Sequence, residues 1–203
     1  MILPPFARGM KIGLFGGSFN PPHMGHALVC DVALKRLGLH RIWLMVSPGN
    51  PLKSREGLPA LAERMAAARR LLRDPRVVVT GFEAKIGAVY SFQTVDYLRR
   101  ACPGVHFVWI MGADNLATFF RWKRWRDIAR KMPILVVDRP GATHRAERGV
   151  AASWFARRRL PESRAKTFVL RKAPALIVLH GPRSPQSSTR LRAARSALAK
   201  PIP

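Results

Sequence analysis

Six short runs of apolar, largely β-branched residues recur along the chain: KIGLFG (11–16), RIWLMV (41–46), RVVVTG (76–81), HFVWIM (106–111), PILVVD (133–138) and ALIVLH (175–180). None alternates apolar with polar positions. A strand with one wetted face must alternate, so continuous runs predict strands covered on both faces, as in a parallel sheet between two helical layers. Helical periodicity fills the gaps. Residues 58–73, LPALAERMAAARRLLR, place Leu61, Met65, Ala68 and Leu72 on one face and turn Glu63, Arg64 and Arg70 elsewhere. Strand then helix, repeated, predicts an α/β fold: a doubly wound, mainly parallel sheet of about six strands with right-handed crossovers.

Length sets the domain count, because 203 residues suffice for one such domain with a full core. The opening MILPPFARG (1–9) holds two prolines, lacks a basic stretch ahead of its apolar part and is too short for a secretory h-region. It reads as a short unstructured extension, with the folded domain over 10–203. Segment 139–172 is the least patterned and is expected to hold a short helix and a surface loop. No apolar run approaches the roughly 20 residues that a membrane span needs. Cys30 and Cys102 stand far apart, with no CxxC and no histidine at ligand spacing. Both fall in helical patterns and read as small apolar residues of a reduced, cytoplasmic protein.

The formal net charge of +25 suits an acidic partner: nucleic acid, a membrane surface or a phosphorylated small molecule. The basic residues are scattered and mostly Arg, a pattern that genome composition produces by itself. Where they cluster, in ARRRLPESRAK (156–166), a solvated surface segment is the simpler reading. No RNP, KH, zinc or helix-turn-helix pattern accompanies that cluster, and aromatic residues do not interleave it.

In doubly wound sheets ligands bind outside the carboxyl ends of the strands, where the strand order reverses. The unusual residues gather there: GGSFNPPHMGH (16–26), SPGNPLK (47–53), GADN (112–115), DRPG (138–141) and GPRSPQSSTR (181–190). In the first loop, Gly16 and Gly17 are expected to bring backbone close to a ligand and to adopt positive φ, and Pro21 and Pro22 place a helix start after themselves. His23 and His26, three apart, then project from one side of that start. Two imidazoles beside amides of partial positive charge make an anion site. The spacing is not GxGxxG, so a dinucleotide cofactor loses its main support. In the last loop, one of Ser187, Ser188 and Thr189 is expected to cap the helix that follows, with Arg192 one turn in and within reach of a phosphate. Asp114 reads either as a helix N-cap or as an acceptor for ribose hydroxyls. Trp122 and Trp125, three apart on a predicted helix, place at least one indole in the core.

GGSFNPPHMGH and SSTRLR resemble the two signatures of the HxGH nucleotidyltransferase superfamily, whose members transfer an adenylyl or cytidylyl group from a nucleoside triphosphate to a phosphate. PGNPLK (48–53), YSFQT (90–94), GADNLATFFRWKRW (112–125) and VVDRPG (136–141) extend the likeness in order, from about residue 10 to 192. Within the superfamily these blocks are most similar to bacterial nicotinate-nucleotide adenylyltransferases. The resemblance implies a single Rossmann-like nucleotidyltransferase domain. It also implies adenylyl transfer from ATP to nicotinate mononucleotide, giving deamido-NAD and pyrophosphate, in NAD biosynthesis, with Mg2+ accompanying ATP.

Roles follow from the same likeness. His23 and His26 contact the ATP phosphates as catalytic groups; Ser188, Thr189 and Arg192 hold the β- and γ-phosphates. Gly16, Gly17, Ser18 and Phe19 line the nucleotide cleft, Lys53 meets phosphate, and Asp114 accepts from ribose. Trp122 stacks on the pyridine ring, Ser91, Phe92 and Lys123 recognise the nicotinate carboxylate, and Arg139 stands at the nucleotide edge. One position departs from the pattern: Leu52 replaces the histidine that often precedes the basic residue. Two alternatives remain open, an adenylyltransferase for nicotinamide mononucleotide or phosphopantetheine, and a basic nucleic-acid-binding protein. No obligate nucleic-acid or membrane partner is implied, and homo-oligomerisation is left open.

Overall fold

The apolar runs are continuous because successive residues of each strand enter two different cores. In β1 (Lys11–Gly17), Ile12 and Leu14 belong to one core and Phe15 to the other; in β2 (Arg41–Val46), Trp43 and Met45 oppose Ile42, Leu44 and Val46. The pattern continues in β4 (His106–Gly112), where Phe107, Trp109 and Met111 oppose Val108 and Ile110. The computed structural model describes residues 2–49, 57–138 and 149–181, together with Ser188 and Arg192.

The remaining strands are β3 (Val77–Thr80), β5 (Ile134–Val137), β6 (Arg159–Leu160) and β7 (Leu176–Leu179). All pairings are parallel, in the order β3-β2-β1-β4-β5-β7-β6. Among the described residues seven strands stand where the sequence predicts about six. The additional one is two residues long, begins with an exposed arginine and pairs only with β7, so it carries no apolar run to be read. The chain steps outward from β1 to β3, then returns to place β4 on the other side of β1. The strand order therefore reverses between β1 and β4.

Eight α-helices are described: α1 (Met24–Leu37), α2 (Leu61–Leu71), α3 (Phe82–Lys85), α4 (Ser91–Ala101), α5 (Ala113–Thr118), α6 (Trp125–Lys131), α7 (Val150–Phe155) and α8 (Ala165–Phe168). Helices α1, α2 and α8 cover the Phe15 face; α3 to α7 cover the Trp43 and Trp109 face. α1 stops at Gly38, whose φ of 61° suits an αL cap that a Cβ would strain. None of these helices is long and apolar enough to cross a membrane.

Two expectations change. Leu61, Met65, Ala68 and Leu72 do pack inward, but Arg64 is buried as well instead of facing solvent. Trp122 and Trp125 do not share a helix: a 3-10 turn (Phe119–Arg121) ends at Trp122, Arg124 adopts φ 54°, and α6 starts afresh at Trp125. Of the two, Trp125 is buried and Trp122 half-buried. Residues 2–9 form no helix or strand and pack on the domain: Pro4 is buried, the Phe6 ring meets Trp43 edge-on at 6.2 Å, and the Gly9 N–H donates to the Gly104 carbonyl at 2.8 Å. Arg157, Arg158 and Arg159 are exposed, as expected of a solvated segment.

Candidate active site

A cleft of about 430 Å3 opens at the carboxyl ends of β1, β2, β3 and β4, at the reversal of strand order. Its floor is the end of β1. Gly16 and Gly17 are the last residues of that strand, paired with Met45 and Val46, and neither has the expected positive φ. The left-handed residue is instead Phe19, at φ 46°. Its ring is buried against Phe15 and His26, at centroid distances of 5.5 and 4.9 Å, so tertiary packing holds a conformation unusual for a residue with a side chain. Gly17 is what admits that ring: a Cβ there would stand 3.2 Å from it.

Pro21 and Pro22 precede the helix start as the sequence predicts, with His23 at the N-cap of α1 and His26 three residues on. The His26 Nδ1 accepts the His23 backbone N–H at 3.1 Å, satisfying one of the donors that every helix start leaves open. A neutral ring that accepts at Nδ1 carries its proton on Nε2. The two imidazoles lie together, ring centroids 3.9 Å apart and planes 37° apart. Both line the cleft, although His23 is buried to 3% exposure and His26 is half-buried.

The far end of the chain closes one wall. The Ser188 hydroxyl donates to the Pro21 carbonyl at 3.0 Å and Arg192 Nη1 to the Asn20 carbonyl at 2.7 Å, so the two sequence signatures meet. Asp114, exposed in the first turn of α5, borders the same space. It is not the N-cap, which is Gly112.

The opposite wall is aromatic. Trp122 packs edge-on against Phe119 at 5.3 Å and Trp109 at 6.1 Å, and lines the cleft together with Tyr90 and Ser91 at the start of the eleven-residue helix α4. Gln93 Oε1 accepts the Val89 and Tyr90 amides at 3.0 and 2.9 Å, fixing that helix start. Lys123 Nζ stands 4.6 Å from the Tyr90 ring centroid. Phe92 does not line the cleft; it packs on the Trp109 core and carries the Arg124 guanidinium at 4.8 Å.

Gly16, Gly17, Ser18, Phe19, His23, His26, Ser91, Asp114, Trp122, Lys123, Ser188 and Arg192 thus line one space. Lys53, Thr189 and Arg139 lie outside the described residues, as does Leu52. Cys30 and Cys102 are buried away from the cleft, and burial pushes their thiols up to about 12 and about 11, so neither offers a thiolate.

Asn115, from the GADN segment, lines the cleft as well, and so do Arg121 and Glu83, for which the sequence suggests no role. Glu83 is buried on α3, where the Thr94 hydroxyl donates to its Oε1 at 2.7 Å. Burial raises its pKa, and the Thr94 bond only partly opposes that. A carboxyl whose folded pKa exceeds its unfolded one binds protons better when folded, so its contribution to stability declines as pH rises from the ordinary carboxylate range towards the folded pKa. Glu83→Gln keeps an acceptor for Thr94 and removes the charge. Its melting temperature relative to wild type is therefore expected to improve from about pH 4.5 to about pH 7.5 in thermal unfolding. A relative stability that worsens over that interval would reject the assignment.

The cytidylyltransferase-like family matches this chain over residues 14–194. A Rhizobium johnstonii protein named probable nicotinate-nucleotide adenylyltransferase is 51% identical over 190 residues, covering 94% of this chain and 96% of its own. One from Methylorubrum extorquens, with the same name, is 54% identical over 183 residues, covering 90% of this chain and 99% of its own. Among solved structures, the nicotinic acid mononucleotide adenylyltransferase of Plasmodium falciparum complexed with NaAD aligns with a TM-score of 0.65 at 16% identity, covering 91% of this chain and 83% of that one. At that identity the likeness speaks to the fold.

Proposed function

This chain belongs to the cytidylyltransferase-like family, and on that premise we propose that it transfers the adenylyl group of ATP to nicotinate mononucleotide, releasing pyrophosphate and forming deamido-NAD in NAD biosynthesis. An oxygen of the mononucleotide phosphate attacks the α-phosphorus; the bond from that phosphorus to the bridging oxygen breaks, and pyrophosphate leaves with the electron pair. No side-chain nucleophile enters. The protein's work is to align two anions and to stabilise charge spreading over phosphoryl oxygens.

The observation that carries the reading is the meeting of Ser188 and Arg192 with the loop that presents His23 and His26, in a cleft that Trp122, Tyr90 and Trp109 also line. His26, with its proton on Nε2, donates to phosphate, and His23 stands in contact with it. A guanidinium has five N–H donors, so the bond to Asn20 leaves Arg192 capacity for the triphosphate. Thr189 and Lys53 join these phosphate contacts, Gly16, Gly17, Ser18 and Phe19 approach the nucleotide with backbone, and Asp114 accepts from ribose. Arg139 lies at the nucleotide edge.

Trp122 stacks on the pyridine ring. The positive end of α4 at Ser91, with the Lys123 ammonium above Tyr90, favours a carboxylate over a carboxamide in that corner. Mg2+ accompanying ATP would neutralise charge on the triphosphate.

The test is pyrophosphate release from ATP and Mg2+ with nicotinate mononucleotide, nicotinamide mononucleotide or phosphopantetheine supplied separately at equal concentration. A clear preference for the first is expected. Preference for another acceptor would keep the ATP site and overturn the acceptor pocket.

A further inference from the structure

Arg64, on α2, brings a guanidinium into the interior at 3% exposure. Its acceptors among the described residues are all backbone carbonyls: Nη1 donates to Ser18 at 2.9 Å and to Ser47 at 2.8 Å, and Nε to Pro59 at 2.9 Å. Burial lowers its pKa, as expected of a cation compensated by dipoles and not by a carboxylate. A helix surface offers a cheaper place for an arginine, so the position of this one asks for a reason beyond packing. Ser18 and Ser47 both line the cleft, one after β1 and the other after β2.

The reason lies in which way the first loop's carbonyls face. The Gly17 carbonyl accepts the Ser47 N–H at 2.9 Å, and the Ser18 carbonyl accepts Arg64. Farther along, Asn20 accepts Arg192 and Pro21 accepts Ser188. Four carbonyl oxygens of one short loop are thus turned onto donors from other elements. In a trans peptide the next N–H points opposite to the carbonyl, so the Ser18 and Phe19 amides face away from Ser47 and Arg64. An anion approaching that stretch from the side away from Ser47 and Arg64 meets the Ser18 and Phe19 amide protons in place of oxygen lone pairs, whereas Pro21 and Pro22 have no N–H to offer.

Resting on the adenylyl-transfer reading, we propose that Arg64 is a positioning residue: it holds the Ser18 and Ser47 carbonyls off the cleft and fixes the β1 and β2 loops in register, so that the mononucleotide phosphate is aligned for attack. It touches neither substrate. A displacement of about 1 Å in such an alignment costs about 100-fold in rate, so Arg64→Met is expected to lower kcat by about 30- to 100-fold. KM for either substrate is expected to change by no more than severalfold, because Arg64 touches neither. Arg64→Lys keeps the charge but lacks the planar fork that reaches two loops at once, and is expected to recover about tenfold in kcat.

The experiment is steady-state pyrophosphate release for both variants and wild type, at a temperature well below each melting point. Wild-type kinetic constants in both variants, with only a lowered melting temperature, would show Arg64 to be merely structural and overturn the proposal. Equal rises in both KM values with kcat unchanged would overturn it too. If Arg64→Met does not fold, the lysine variant carries the same criteria. Absence of turnover by the wild type with any acceptor would instead overturn the adenylyl-transfer reading, and this proposal with it.

Discussion

Replacing His26 by Asn is expected to lower kcat by about 100- to 1,000-fold, the usual cost of removing one preorganised donor to a developing charge, equivalent to about 2.7–4 kcal/mol. The choice of Asn separates the two tasks of the ring. Its side-chain oxygen stands close to where Nδ1 accepts the His23 amide, so the start of α1 keeps its cap, while nothing replaces the Nε2 proton that faces the cleft. The melting temperature is accordingly expected to stay within about 3 °C of wild type. His23→Ala should lose activity as well, but with a larger fall in melting temperature, because that ring is buried against His26. Steady-state kinetics beside thermal unfolding decides the matter: a His26→Asn enzyme that melts early yet turns over normally while folded would make the imidazole structural.

The histidine pair was legible because its context is local. Two prolines fix where the helix starts, and spacing then puts both rings on one side of it. The six longer strands were legible for a similar reason, since residues that alternate between two cores leave no polar position to break the run. What periodicity cannot see is a charged residue turned inward by partners distant in sequence. Arg64 is matched with carbonyls 46 and 17 residues away, and Glu83 with a hydroxyl 11 residues away. By local pattern both belong on wet surfaces. The same limit applies to backbone conformation. Glycines are the default site for positive φ, yet Gly16 and Gly17 complete a strand while packing of the Phe19 ring places the left-handed turn two residues later. At Arg124 a left-handed residue interrupts what reads as one helix, with no Gly, Pro or Asn to mark it.

Arg124 bonds Asp127 Oδ2 through Nε at 2.6 Å and lays its guanidinium over Phe92, while Lys123 sits on Tyr90, so the turn after Trp122 is pinned to α4 on both sides. Trp122 itself is wedged between Phe119 and Trp109. An indole already held in place loses little freedom when a ring stacks on it, so most of the stacking energy survives as affinity. Trp122→Ala is therefore expected to raise KM for nicotinate mononucleotide by roughly 5- to 150-fold, from about 1–3 kcal/mol of base–aromatic stacking. KM for ATP should change by less than about twofold, because Ser188 and Arg192 are anchored on the His23 loop and not on this wall. Trp122→Phe, which keeps a π face on the same neighbours, should recover most of the loss. Initial-rate kinetics with each substrate varied in turn distinguishes stacking from general loosening: equal rises in both KM values in the alanine variant, or no recovery in the phenylalanine variant, would show that Trp122 supports the cleft without binding the pyridine ring.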